Sequence, residues 1–181
     1  MNAPHPRRLD PLPGDAWDDS IREALSSLLP ADRANPRDAG NMLATMAQHP
    51  ALLRAYLPFN AYLLRESTLT PRVREIALLR VVSLRGCDYL WSHHVPLAHR
   101  AGLSDTEIGA IRDGALPGDD DQAVLRVVDD LNAHGTISAA GWDELGRHFS
   151  TQQRMDLVFT VGGYYLLAMA VNAFGIEVET I

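Results

Sequence analysis

The feature of this 181-residue sequence that most constrains its fold is the recurrence of apolar residues three and four positions apart, with no stretch of apolar and polar alternation long enough for a strand. Such spacing brings side chains onto one face of a 3.6-residue helical turn, and it predicts an all-α chain. Trp17, Ile21, Leu25 and Leu28 form the first stripe, which Pro30 ends because it lacks an amide donor. A loop through Asn35 and Pro36 precedes a helix around 41–48, and Pro50 opens another carrying Leu53, Leu57 and Tyr62. Thr70-Pro71, a capping residue followed by proline, starts a central helix that passes through Glu75 and stops at Gly86. The next helix runs from Cys87 to about Arg100. Ser104 with Glu107 three residues on forms a capping box. A loop over 117–121 leads to a helix with Val124, Val127, Val128 and Leu131, Ser138 caps the next, and a last helix extends from Gln152 to Phe174.

That last helix is apolar on nearly every side, so it needs either the other helices around it or a second subunit against it; the pattern alone leaves both open. Its apolar run, Leu157 to Val171, is 15 residues with Gly162 and Gly163 inside. This falls short of the ~20 that cross a bilayer, and no membrane span is expected. Residues 1–16, rich in proline and arginine, contain no apolar stretch of a secretory signal and are expected to form a flexible N-terminal arm before a single helical domain over 17–181. The net charge of −7 and the scattered arginines argue against a nucleic-acid partner, which demands clustered cations. One cysteine allows no intramolecular disulfide and fits a cytoplasmic protein.

The chemistry-bearing residues concentrate between 74 and 94. Cys87, Leu90, Trp91 and His94 stand at i, i+3, i+4 and i+7, along one helix face. A thiol at a helix N-terminus gains from the unpaired amides and the dipole, which predicts a lowered Cys87 pKa; the alternative is a cysteine packed as a small hydrophobe. Glu75, between Arg74 and Ile76, is either a solvent-facing acid paired with Arg72 or Arg80, or an acid held inside. Adjacent helical residues diverge by about 100°, so His94 shares the face of Cys87 and His93 points to the surface or an interface. His94 and His99 are five apart with no carboxylate at a ligand-like spacing, so no metal site is expected. Arg72, Arg80 and Arg85 are each candidates for a substrate carboxylate, with solvation the alternative.

The register of Glu75, Cys87 and His94 resembles the carboxymuconolactone decarboxylase and alkylhydroperoxidase-D-like family, in which a glutamate stands twelve residues before a Cys-x-x-Cys-x-x-x-His element. The likeness extends over roughly residues 40–176. Leu90 occupies the place of the second cysteine, so the disulfide step of the family's peroxide reduction has no partner here. Tyr89, Trp91 and His94 resemble instead a decarboxylase-like subgroup with Tyr-Glu-Trp-x-x-His, Leu90 again standing where its glutamate would be. The resemblance implies a homo-oligomer, trimer or hexamer, acting on a small molecule in an apolar pocket lined by Tyr89, Leu90 and Trp91. Such a pocket would raise the carboxyl pKa and place the histidine near neutrality. It implies first a cofactor-free lyase or isomerase with Glu75 orienting His94, second a peroxidase using Cys87 with an external thiol, and third a binding protein without turnover.

Overall fold

The computed structural model describes residues 6–179, and among them every regular element is helical. The helices are α1 (Asp19–Leu25), α2 (Pro36–Met46), α3 (Pro50–Arg65), α4 (Pro71–Leu84), α5 (Asp88–Arg100), α6 (Asp105–Asp113), α7 (Asp119–His134), α8 (Ala139–His148) and α9 (Thr151–Phe174), with 3-10 turns at Gly14–Ala16 and Ala31–Arg33. Cα packing divides the chain into two compact units, Ser67–Met169 and, among the described residues, 6–66 with 170–179.

The first unit is organised on α4, which packs against α5, α6 and α7. Thr70 caps it, its hydroxyl accepting from the Val73 amide, and Pro71 stands at its start. Val73, Ile76, Ala77, Leu78, Leu79, Val81 and Val82 are all buried, on both sides of the helix, which is why α4 has no polar face. It ends in a Schellman motif: the Gly86 amide donates to the Ser83 carbonyl and the Cys87 amide to the Val82 carbonyl, with Gly86 at φ 58. Only glycine takes that left-handed conformation without strain. The same turn fixes Cys87 as the N-cap of α5. The expected capping box of α6 is present in both directions, and Ser138 caps α8.

In the second unit α3 packs on α1 and α2. Leu53 and Leu57 are fully buried, whereas Tyr62, expected beside them, is 38% exposed. Asn35 and Pro36 are not a loop: the Asn35 side chain caps α2 by accepting from the Asp38 amide, Pro36 begins the helix, and Gly40 at φ 69 interrupts it before the segment that the apolar pattern marks. Residues 7–12, expected within a flexible arm, make specific contacts inside this unit. The Arg8 and Leu9 amides donate to the Phe174 carbonyl, Leu12 to Ala44, and Arg7 pairs with Glu177. Gly175 permits the approach, since a Cβ there would lie 2.1 Å from the Pro6 carbonyl oxygen. The first five residues of that arm lie outside the described residues.

At 24 residues α9 exceeds its apolar run, and it is long and apolar enough to cross a membrane by length and composition. Leu157, Val161, Tyr164, Leu167 and Ala168 are nevertheless buried, and near the start of the helix the buried Asp156 accepts from both the amide and the hydroxyl of Thr68. A second set, Met155, Phe159, Leu166 and Met169, is more than half exposed.

Candidate functional site

Glu75 and His94 meet inside the first unit. Both lie on helices whose ends are set locally, α4 by Thr70 and Gly86, α5 by Cys87, so the pairing follows from how α4 and α5 pack. His94 Nδ1 is 2.9 Å from Glu75 Oε2, and the two side chains are 9% and 1% exposed. The solvent-facing alternative for Glu75 is thereby overturned, and its cationic neighbour is neither Arg72 nor Arg80. Arg74 Nε lies 3.4 Å from Glu75 Oε1, so the two carboxylate oxygens face a guanidinium and an imidazole. A buried carboxylate against Nδ1 selects the tautomer in which Nδ1 carries the hydrogen and Nε2 holds the free lone pair. Among the described residues Nε2 has no hydrogen-bond partner.

The ring plane of His94 is set by Tyr164 of α9, whose ring meets it edge-on at 5.4 Å between centroids and 87° between planes. Tyr164 is 1% exposed. Sequence reasoning passed over it because α9 is apolar almost all round, so periodicity does not say which of its residues turns toward α5; the one available signal is a tyrosine inside an apolar run, where the hydroxyl needs a polar neighbour.

The aromatic residues expected to line the pocket have other close partners. Tyr89 is buried and stacks on His93 at 4.3 Å, a contact of residues four apart. His93 is exposed, as expected, with Nδ1 2.8 Å from the Tyr89 carbonyl. Trp91 carries the Arg112 guanidinium over its ring at 3.7 Å. Leu90 is 2% exposed, a core residue between Cys87 and His94. Arg72 is tied to Asp121 and Glu107, Arg80 to Asp129 and two carbonyls, and Arg85 to Asn132 and the face of Tyr165. Among the described residues no group of three or more His, Cys, Asp or Glu side chains converges as a metal site would require.

Cys87 corrects the expected lowered pKa. It is 1% exposed, and burial pushes its thiol up from 9.0 to about 11, with Asp88 adding to the rise and the Leu90 amide opposing it. The rise corresponds to about 3 kcal/mol against the thiolate, more than the ~1 kcal/mol a helix terminus supplies. Along α5 roughly 10 Å of helical rise separates Cys87 from His94, so the thiol is not poised on the imidazole. In the folded protein Cys87 should therefore label with a thiol reagent only slowly, its rate still climbing toward pH 11. Because the folded pKa lies above the unfolded ~8.5, Cys87 contributes stability that is complete below ~8.5 and lost as pH rises through about 11. Urea unfolding at pH 8 and pH 10.5 checks this: Cys87→Ala should flatten the alkaline loss, and an unchanged loss would refute it.

Residues 50–130 match the family model described as the carboxymuconolactone decarboxylase family, a range that contains Glu75, Cys87 and His94 but is narrower than 40–176. No curated protein matches the chain. Among solved structures, a peroxidase-related protein from Silicibacter sp. TM1040 superposes with a TM-score of 0.78 at 18% identity, covering 99% of this chain and 96% of that one. An alkylhydroperoxidase AhpD core protein from Ralstonia eutropha JMP134 gives 0.75 at 18% identity over 96% and 94%. A cysteine-to-alanine variant of the debrominase Bmp8 in complex with 2,3,4-tribromopyrrole gives 0.71 at 19% identity over 99% and 94%. At these identities the structures establish the fold, which is AhpD-like.

Proposed function

We propose that this chain, which carries the carboxymuconolactone decarboxylase family pattern over residues 50–130 on an AhpD-like fold, is an acid–base enzyme whose proton carrier is His94. Its class is a lyase or isomerase of a cyclic or aromatic-derived carbonyl compound. The observation that carries the reading is the buried 2.9 Å contact between His94 Nδ1 and Glu75 Oε2. With Nδ1–H donated to the carboxylate, Nε2 in an isomerisation takes a proton from carbon next to a carbonyl, and the imidazolium, stabilised by Glu75, returns it at another position. In a decarboxylation the C–CO2 bond breaks, its electron pair stays on that carbon as an enolate, and the imidazolium Nε2–H supplies the proton. Tyr164 holds the ring at a fixed angle, so Nε2 presents one direction to the reacting carbon. A ring-shaped ligand is supported by the debrominase of like fold, which binds a halogenated pyrrole. The peroxidase alternative loses support from the burial and raised pKa of Cys87.

The test is incubation in D2O with a panel of unsaturated lactones and keto acids, following deuterium incorporation and carbon dioxide release. The wild type should turn over at least one class, and His94→Ala should not. Equal turnover by both would remove the proposal.

The same reading includes a homo-oligomer in a setting without a membrane, such as the cytoplasm. Met155, Phe159, Leu166 and Met169 follow one another by four, seven and three, the 3.5-residue spacing at which one helix seats on another of its kind. Phe159→Glu with Met169→Glu should lower the molar mass measured by sedimentation to that of one chain; a wild type already monomeric would refute the assembly.

A further inference from the structure

The geometry points to a role for Arg74 that rests on the proposed site but is separately testable: we infer that its guanidinium is the anion-holding group of the Glu75–His94 site, receiving an oxyanion of the substrate. Among the arginines of the first unit, Arg72 and Arg80 have every nitrogen engaged by carboxylates or carbonyls, and Arg85 reaches the Asn132 amide and the face of Tyr165. Arg74 differs. Its side chain is 16% exposed, yet its one acceptor among the described residues is Glu75 Oε1, 3.4 Å from Nε, and neither terminal nitrogen has an acceptor. Those nitrogens are not sealed among the fully buried unpartnered atoms, so they remain open to an incoming group.

Charge balance indicates the group. One carboxylate, Glu75, serves both a permanent cation, Arg74, and an imidazole that becomes a cation whenever His94 carries the proton. In a poorly hydrated site an unbalanced charge is costly, and a ligand bringing one negative charge restores balance at that stage. The planar fork of the guanidinium suits two oxygens side by side. An organic anion whose oxygens meet the terminal nitrogens of Arg74 would stand beside the imidazole, with its reacting carbon within reach of Nε2.

Benzoate and benzamide, equal in shape and different in charge, are the probes, read by NMR of the full-length protein through the His94 ring signal, assigned by its loss in His94→Gln. Wild type should bind benzoate at least about tenfold more tightly than benzamide, the difference one charge-assisted pair supplies. Arg74→Gln and Arg74→Met should lower the preference to about twofold or less with benzamide binding unchanged, and Arg74→Lys should keep part of it. A wild type without preference overturns the role, as does a preference retained in Arg74→Gln. If Arg74→Met loses both probes, Arg74→Gln and Arg74→Lys decide by the same criterion. These readouts involve no turnover, so failure to find a substrate leaves this inference standing, and a preference independent of Arg74 leaves the His94 reading standing.

Discussion

Replacing His94 with alanine should reduce kcat by roughly 10²–10⁴, the range a positioned general acid or base contributes, while KM for the same substrate changes little. Glu75→Gln should be milder, about 10–100-fold, as expected for the loss of a supporting partner. A glutamine can still accept from Nδ1–H and keep the tautomer, but it no longer stabilises the imidazolium. The two effects should not add, because Glu75 acts through His94: the double variant should resemble His94→Ala alone. The stability signatures rank the two variants in the same order. His94→Ala leaves a carboxylate 1% exposed with only the 3.4 Å contact to Arg74, and stranding a buried charge costs about 3 kcal/mol. Glu75→Gln strands no charge on its own side and should cost less. Steady-state rates with urea unfolding of the three variants separate the roles; a fully additive double variant would mean that the residues act independently and would remove Glu75 as the orienting group.

How much of this site could be read from the chain follows from the range of each signal. Caps and stops are local, so Thr70-Pro71, Gly86, Ser104 with Glu107 and Ser138 were legible and stand where expected. Asn35-Pro36 was misjudged for a reason equally local: Gly40 interrupts α2, which made its first turn look detached from the apolar stripe. The face shared by Cys87 and His94 followed from helical spacing, but the approach of Glu75 from α4 did not, and only its register within a family resemblance suggested it. The ionisation of Cys87 depended on burial, a three-dimensional quantity, and the one-dimensional clue of a helix terminus had the wrong sign because desolvation is the larger effect. Arg74 escaped notice because all arginines of α4 look alike until their partners are known.

The largest effect away from the proton-transfer pair should come from Arg72. It sits in the first turn of α4, and its guanidinium reaches Asp121 of α7 at 2.6 and 2.9 Å, Glu107 of α6 at 2.5 Å and the Gly102 carbonyl at 3.3 Å. Glu107 in turn holds the Ser104 amide and hydroxyl, so one arginine joins the start of α4 to the cap of α6 and the first turn of α7. Asp121 is 8% exposed at its side chain, and removing Arg72 leaves it without its cation. Arg72→Ala should therefore cost about 3 kcal/mol, a fall in the urea midpoint of about 1–2 M. Arg72→Lys should recover only part, because a single ammonium cannot span two carboxylates in the same fork. Arg72→Ala with Asp121→Asn should cost clearly less than the sum of the two. The network also carries an acid signature. Hydrogen bonding from Arg72, then from Ser104, depresses the Glu107 carboxyl from 4.5 to about 2. A depressed folded pKa contributes stability that is present above the unfolded value and lost as pH falls toward about 2, since the unfolded chain takes up the proton first. Between pH 4.5 and pH 2 the wild type should lose stability more steeply than Glu107→Gln, in urea titrations at fixed ionic strength. Equal slopes would mean that Arg72 and Glu107 are not paired in solution, and the predicted cost of Arg72→Ala would then rest on Asp121 alone.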